Sequence, residues 1–448
     1  MYKVKWFSEL LPQYKKLEEK MLNIISNTYK MYWYTPIETP MVEDNFILTS
    51  KWWWEVKNQI FWLYGLANWI DDVKDYSLRF DLTVPFSRYV LDYKSQITFP
   101  FKRSQIWKVF RWERAQRWRY KDFYQADIDV IWEKSDNKDY LFYDAEVISV
   151  AYNTFLKIFD SFSLNDTQIN INLSNRKIFS GFINSLGLKD KLLQVSNIVD
   201  KKAKITKEVF DSELLDIWLN EKQIEKISLF LDFEANYENL EDIKNIFSIE
   251  NREFDEWIKD LKKVLYFIYK MWINREDIKI NFSIIRWLDY YTWIVFETFI
   301  VSDRKLWSIG SGGRYENLTK NIDAKENFSW VGFSIWVTRL EDYLFENVKT
   351  DYLAKTTSEY LIINFPDTIT ESLAIYNDLI KSWKSVEFYP EDDKLSKQFK
   401  YADNKKIKFC VILWAQELEK WIYILKNMFS WESSEEKIKE ISKKSEGL

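Results

Sequence analysis

Histidine is absent from the 448 residues. That removes the imidazole general base, the imidazole metal ligand and the usual proton switch near neutral pH. Any chemistry must run on carboxylates, guanidinium groups, amines and hydroxyls. Cysteine occurs once, at Cys410, which excludes an internal disulfide and any cysteine-rich zinc or iron–sulfur centre. Its surroundings, Phe409-Cys410-Val411-Ile412-Leu413, predict a buried strand position rather than a reactive thiol. No apolar run approaches the roughly 18 residues of a membrane span. The opening Met1-Tyr2-Lys3-Val4-Lys5 lacks the apolar core of a signal peptide, so a cytoplasmic protein without a membrane partner is expected. A large charge excess is also missing. With 64 Lys+Arg against 69 Asp+Glu the net charge is -5, which excludes a uniformly basic nucleic-acid coat and leaves charge work to local patches.

Glycine is scarce, with 8 residues, while tryptophan occurs 23 times. Ordinary glycine usage of about 7% would supply roughly 31 residues in a chain of this length, which is what the two residue types reach together. The arithmetic suggests that tryptophan stands at many glycine positions, as happens when a codon meaning glycine in the source cell is translated as tryptophan. The other reading is an aromatic-rich binding face. What remains is the composition of a packed globular protein, 47% hydrophobic and 18% aromatic with 7 prolines, and long enough for two to four domains.

Residues 12–31 carry Tyr14, Leu17, Met21, Ile24, Ile25 and Thr28 at three- and four-residue spacing behind Pro12, which predicts an amphipathic helix. Strand-like runs at Ser104–Arg111 and Phe123–Ile131 flank a charged turn and predict an antiparallel hairpin. Residues 144–275 read as mostly helical. Strand character returns at 278–301 and 330–337, a helix follows at 338–348, and apolar runs at 359–365, 385–389 and 408–413 alternate with helical stretches as in an α/β module.

Eight basic residues, Lys102, Arg103, Lys108, Arg111, Arg114, Arg117, Arg119 and Lys121, crowd around the single acid Glu113 at the hairpin tip. Such a run is usually a solvated face, yet it suits bidentate arginine contacts to phosphates. The order of residues decides further. Arg111-Trp112-Glu113-Arg114-Ala115-Gln116-Arg117-Trp118-Arg119-Tyr120-Lys121-Asp122-Phe123-Tyr124-Gln125-Ala126-Asp127-Ile128-Asp129 closely resembles motif 2 of histidyl-tRNA synthetases. Ser77–Tyr89 resembles the segment that binds the histidine amino group. Ile285-Arg286-Trp287-Leu288-Asp289-Tyr290-Tyr291-Thr292-Trp293 and Gly310-Ser311-Gly312-Gly313-Arg314-Tyr315-Glu316-Asn317-Leu318 resemble the two histidine-specific signatures. Val331–Leu340 resembles class II motif 3, and Pro40 falls where motif 1 keeps its proline. Trp112, Trp118, Trp287, Trp293 and Trp336 stand where those motifs have glycine.

The resemblance spans nearly the whole chain and implies a class IIa aminoacyl-tRNA synthetase. The implied fold is α/β (α+β): an antiparallel catalytic sheet of six or seven strands with flanking helices, a helical insertion, and a C-terminal α/β anticodon-binding domain. The expected boundaries are 1–170 and 276–345 for the catalytic core, 171–275 for the insertion and 355–448 for the anticodon-binding domain. The implied activity is histidine–tRNA ligase, with ATP as substrate, Mg2+ as cofactor, tRNA-His and histidine as partners, and a homodimer built through motif 1.

By similarity, Arg111 and Arg286 flank the α-phosphate, Arg339 holds the γ-phosphate end, and Glu113 accepts from the adenine amino group. Asp129 and Tyr291 are implied for the imidazole, with Tyr290 as Tyr291's rival because strand neighbours point to opposite faces. Asp81, Thr83 and Gln125 are implied for the amino and carboxylate ends of histidine. Arg114 and Gln116 are implied for the tRNA acceptor end, including its extra 5′ guanosine. The competing reading is a non-catalytic relative, such as a regulatory subunit of ATP phosphoribosyltransferase or a sensor of uncharged tRNA. Retention of Arg111, Glu113, Arg286 and Arg339 argues against it. A generic RNA-binding protein is disfavoured by the net acidity.

Overall fold

The computed structural model describes residues 4–49, 58–64, 75–112, 120–134, 140–285, 291–303, 306–316, 318–348 and 354–438. The chain divides into two units, Met1–Ser8 with Met21–Glu346, and Glu9–Lys20 with Asn347–Leu448.

In the larger unit the strands are β1 (Thr35–Pro36), β2 (Val42–Asp44), β3 (Phe61–Leu63), β4 (Tyr76–Leu78), β5 (Phe101–Phe110), β6 (Asp122–Glu133), β7 (Ile169–Asn175), β8 (Ile278–Ile280), β9 (Tyr291–Ile300), β10 (Gly310–Tyr315) and β11 (Phe328–Trp336). Eight of them form one sheet in the order β1-β5-β6-β11-β10-β9-β7-β8. The expected hairpin is there: β5 and β6 pair antiparallel from Phe101 opposite Ile131 to Phe110 opposite Asp122. The expected antiparallel sheet of six or seven strands is present as the six strands β5-β6-β11-β10-β9-β7, and β1 and β8 are added at its margins in parallel with β5 and β7. Two and three residues long, these edge strands leave little unpaired backbone for another chain to capture.

Residues 169–175 correct one expectation. Ile169-Asn170-Ile171-Asn172-Leu173 alternates apolar and polar residues and forms β7, paired with β9 inside the sheet, so a boundary at 171 cuts a sheet strand. The helical stretch begins at Arg176, where Asn175 caps the helix Arg176–Ser185 by accepting from the Lys177 N–H.

The helix Leu141–Ser161 packs on the sheet through Ala145, Ile148, Ala151 and Phe155, all fully buried at helical spacing. It also carries Asp144, whose carboxylate accepts from Arg314 of β10 at 3.1 Å. Both side chains are buried, and the Arg314 guanidinium lies 4.7 Å from the Trp293 ring. In the helix Pro12–Met31 the residues Leu17, Met21, Ile25 and Thr28 are buried as predicted, and Tyr29 joins them, its hydroxyl donating to the Ala126 carbonyl at 3.0 Å. A separate three-stranded sheet, β2-β4-β3, leads directly into Arg79, Phe80 and Asp81.

The smaller unit is a five-stranded sheet ordered β13-β12-β14-β15-β16, from β12 (Tyr360–Ile362), β13 (Val386–Phe388), β14 (Phe409–Ile412), β15 (Ile422–Asn427) and β16 (Ser433–Lys437). The first three run parallel, with helices Ile369–Lys381 and Leu395–Lys405 between them in sequence. Cys410 sits in its core with Leu361, Ile363, Ala402 and Ile412. Burial pushes its thiol up to about 12, so it stays protonated and inert, as the sequence implied.

Candidate active site

A cavity of about 830 Å3 opens on the face of the large sheet. Side chains alternate across a strand, so Phe123, Gln125, Asp127 and Asp129 of β6 form one row, and all four line this cavity. Asp81, Thr83, Arg111, Tyr291 and Arg339 line it too, so seven of the residues implied by the motifs converge on one space. Glu113, Arg114, Gln116, Arg286 and Tyr290 lie outside the described residues.

One end is acidic. Asp81, at the start of the helix Thr83–Tyr93, accepts from the Val84 N–H at 3.0 Å, and burial pushes its carboxyl up to about 6. Burial likewise raises Asp127, and it pushes Asp129 up to about 7 against the opposing pull of Arg103. Asp129 receives the Tyr315 hydroxyl on Oδ1, and Arg103 Nη2 pairs with its Oδ2. The same nitrogen lies 3.8 Å from Asp127 Oδ2. Arg103 is fully buried and packs 4.4 Å from the Phe86 ring centre. Its Nε and Nη1 have no hydrogen-bond partner, nor has Asp127 Oδ1 or Gln125 Oε1. Gln125 Nε2 donates to Ser334 Oγ at 3.2 Å, which fixes the amide. Tyr291 is buried at the start of β9, its ring edge-on to Tyr315 at 6.2 Å. A Cβ at Gly332 would stand 1.9 Å from Asp129 Oδ1, so only glycine leaves the carboxylate its place.

The other end is basic. Arg111 Nε donates to the Phe80 carbonyl at 3.0 Å, and its guanidinium lies 5.1 Å from both the Phe123 and Trp336 ring centres. Arg339, in the first turn of the helix Val337–Asn347, donates to the Ser308 carbonyl and lies 5.4 Å from the Trp336 ring. Trp336 and Phe123 lie 5.7 Å apart with planes inclined by 32°. Along β6 Phe123 and Asp129 are six residues apart, about 20 Å at strand rise. Such a cavity matches a ligand pair that is cationic at one end and polyanionic at the other.

Three participants escaped the sequence reading, the first being Arg103, which the sequence shows only as one cation of a basic run. Asp127 lies between Gln125 and Asp129 in the same row, and period-two alternation alone would have found it. Tyr315 was quoted within a signature but given no role, and its partner Asp129 is distant in sequence.

The histidyl-tRNA synthetase family model matches residues 6–340, and the anticodon binding domain model matches residues 361–446. A histidine–tRNA ligase of Clostridium tetani (strain Massachusetts / E88) is 35% identical, covering 94% of this chain and 92% of its own. That of Clostridium acetobutylicum is 34% identical over 97% of each chain. The crystal structure of histidyl-tRNA synthetase from Nostoc sp. PCC 7120 superposes with a TM-score of 0.85 at 30% identity, covering 98% of this chain and 97% of that one.

Proposed function

The chain belongs to the histidyl-tRNA synthetase family and is an ATP-dependent histidine–tRNA ligase, and from this premise we propose how its own residues carry the reaction. The observation that carries the reading is the shared cavity, lined both by the carboxylate row of β6 and by Arg111 and Arg339.

Histidine enters with its amino and carboxylate ends toward Asp81, Thr83 and Gln125 and its ring toward Asp129 and Tyr291. A ring with two polar nitrogens needs polar partners for both, and a site built this way rejects amino acids that lack them. The substrate carboxylate is the nucleophile and is already ionised, so no protein base is required, in keeping with a chain devoid of histidine. A bond forms between a carboxylate oxygen and the α-phosphorus, the bond from that phosphorus to the bridging oxygen of pyrophosphate breaks, and pyrophosphate leaves. Arg111 and Arg286 stabilise the charge at the α-phosphate, Arg339 holds the γ-phosphate end, and Glu113 accepts from the adenine amino group. The terminal ribose hydroxyl of tRNA-His then attacks the acyl carbon and AMP leaves, with Arg114 and Gln116 placing the acceptor end.

Among the described residues no three or more acidic, cysteine or histidine side chains gather into a metal cage. That fits Mg2+ held mainly by nucleotide phosphates and water, with one cavity carboxylate such as Glu297 in support. When bound, it would supply charge neutralisation between the phosphates. Motif 1 around Pro40 would build a homodimer, and the reaction is placed in the cytoplasm. Among the described residues no helix is long and apolar enough to cross a membrane. The proposed boundaries are a catalytic core either side of a helical insertion that starts after β7, then the anticodon-binding domain. Histidine-dependent ATP–pyrophosphate exchange by enzyme from its source cells tests the reading. Exchange confined to histidine is expected, and ATP binding with no exchange would overturn it in favour of a regulatory relative.

A further inference from the structure

Five helices run into a tryptophan whose backbone is left-handed. Trp33 (φ 68) follows Pro12–Met31, Trp218 (φ 65) follows Lys207–Asp216, Trp272 (φ 65) follows Arg252–Lys270, Trp383 (φ 58) follows Ile369–Lys381, and Trp421 (φ 57) follows Ala415–Glu419. The hydrogen bonds are those of a helix stop. The Trp383 N–H donates to the Ile380 carbonyl at 3.0 Å and the next N–H, of Lys384, reaches back to Leu379 at 2.9 Å. Trp33 with Tyr34, and Trp218 with Leu219, repeat the pattern. At the end of the helix Arg176–Ser185 the same two bonds are made by Gly187 (φ 74) and Leu188. Glycine is the usual residue there because a Cβ crowds the backbone carbonyl in this conformation. With Trp6 and Trp431 added, seven of the ten non-glycine residues with positive φ among the described residues are tryptophan.

Nothing in their surroundings offsets that strain. The side chains of Trp33, Trp218, Trp272 and Trp383 are 85%, 86%, 94% and 97% exposed. A second observation comes from the interior, where the indole nitrogens of Trp293, Trp330 and Trp336 are buried without a hydrogen-bond partner. A buried indole N–H normally finds one. A stacking face for bases would gather tryptophans on one surface, whereas these sit at helix stops in both units and inside the sheet. Trp336 also packs beside Phe123 and against the Arg111 and Arg339 guanidinium groups.

We propose that the natural protein carries glycine at positions 33, 218, 272, 383, 421 and 336, the source cell decoding those codons as glycine. With glycine at 336 the space the indole takes beside Phe123 and the two guanidinium groups is open to a planar base and its phosphates. The glycine assignment stands on backbone conformation and burial, while the opened space at position 336 rests on the proposed ATP site.

The experiment has two arms, neither of which reads catalysis. Tandem mass spectrometry of the protein isolated from its source cells should find glycine at these positions; tryptophan there overturns the proposal. In the recombinant chain as written, Trp383→Gly should raise the thermal midpoint by several degrees and Trp383→Ala by clearly less, because alanine keeps the offending Cβ. Equal shifts would overturn the backbone argument. ATP binding, followed by calorimetry, should tighten at least tenfold in Trp336→Gly, and an unchanged affinity would overturn the opened space.

Discussion

Replacing Arg103 with leucine removes the one cation within 4.0 Å of the Asp127 and Asp129 carboxylates among the described residues. Leucine keeps an apolar side chain against Phe86, so the change is chiefly one of charge. Two buried carboxylates then lose their partner, and breaking a buried ion pair from one side costs about 3–5 kcal/mol. Against a domain stability of about 5–15 kcal/mol this is a large fraction, readable as a shift in the urea midpoint. The loss should depend on pH. Asp129 has its folded-state carboxyl raised to about 7 by burial, while the unfolded value is about 4, so the folded protein holds a proton that the unfolded chain releases between those values. The group therefore lowers stability progressively as pH rises through that window, and Arg103 limits the effect by pulling the carboxyl down. Without Arg103 the folded value moves higher and the penalty at pH 8 exceeds that at pH 5. The groups facing Asp129 are Arg103, Asp127, Tyr315 and Asp81, and only the first is removed. Urea unfolding of the parent and variant at the two pH values checks the sign. A loss below about 1 kcal/mol, or one equal at both, would refute the claim that Arg103 compensates buried charge.

Gly332→Ala places a Cβ 1.9 Å from Asp129 Oδ1 and must displace the carboxylate, so kcat/KM for histidine should fall ~10–100-fold in pyrophosphate exchange with KM for ATP little changed; an equal loss for both substrates would point to a disrupted sheet instead. Arg286→Ala should abolish exchange with circular dichroism unaltered, since it is the one cation inside the first histidine signature, and normal exchange would remove it from the site. Gln116→Ala should slow transfer and weaken discrimination against tRNA lacking the extra 5′ guanosine while adenylate formation persists; loss of both steps together would assign Gln116 to the ATP site.

The elements that were legible in the sequence are those with long regular periods. The helix Pro12–Met31 and the β5–β6 hairpin each offer ten or more residues of consistent pattern. β7 was missed although its alternation is clean, because seven residues of strand lie between two strongly helical stretches. The edge strand β1 is too short to carry any period, and β8, although it falls in the strand run predicted at 278–301, has a parallel pairing that only its neighbour defines. At the site, motif resemblance brought together Asp81, Thr83, Arg111, Gln125, Asp129, Tyr291 and Arg339, which do share a cavity. It could not reveal Arg103, whose importance comes from facing Asp129 across the β5–β6 ladder. In one dimension Arg103 is merely one cation in a basic run. Burial sets it apart from Lys102, Lys108, Arg111 and Lys121.

Because the acidic row and the Phe123 platform belong to one strand, the site depends on the register of β6. A slip of one residue would turn Gln125, Asp127 and Asp129 off the cavity face and present their neighbours instead. Both partners oppose such a slip. On one side β5 pairs with β6 in unbroken register and sets Arg103 opposite Asp129; on the other, β11 sets Gly332 opposite the same residue. The ion pair rewards one alignment, and the missing Cβ admits the Asp129 carboxylate only there. Shifting β6 by one would put Ile128 or Val130 against Arg103 and leave its charge uncompensated, at a cost far above that of one lost ladder bond. The buried charges are thus a constraint on alignment as well as on chemistry, which is why the substitution that best probes the site, Arg103→Leu, is also the one that best probes the fold.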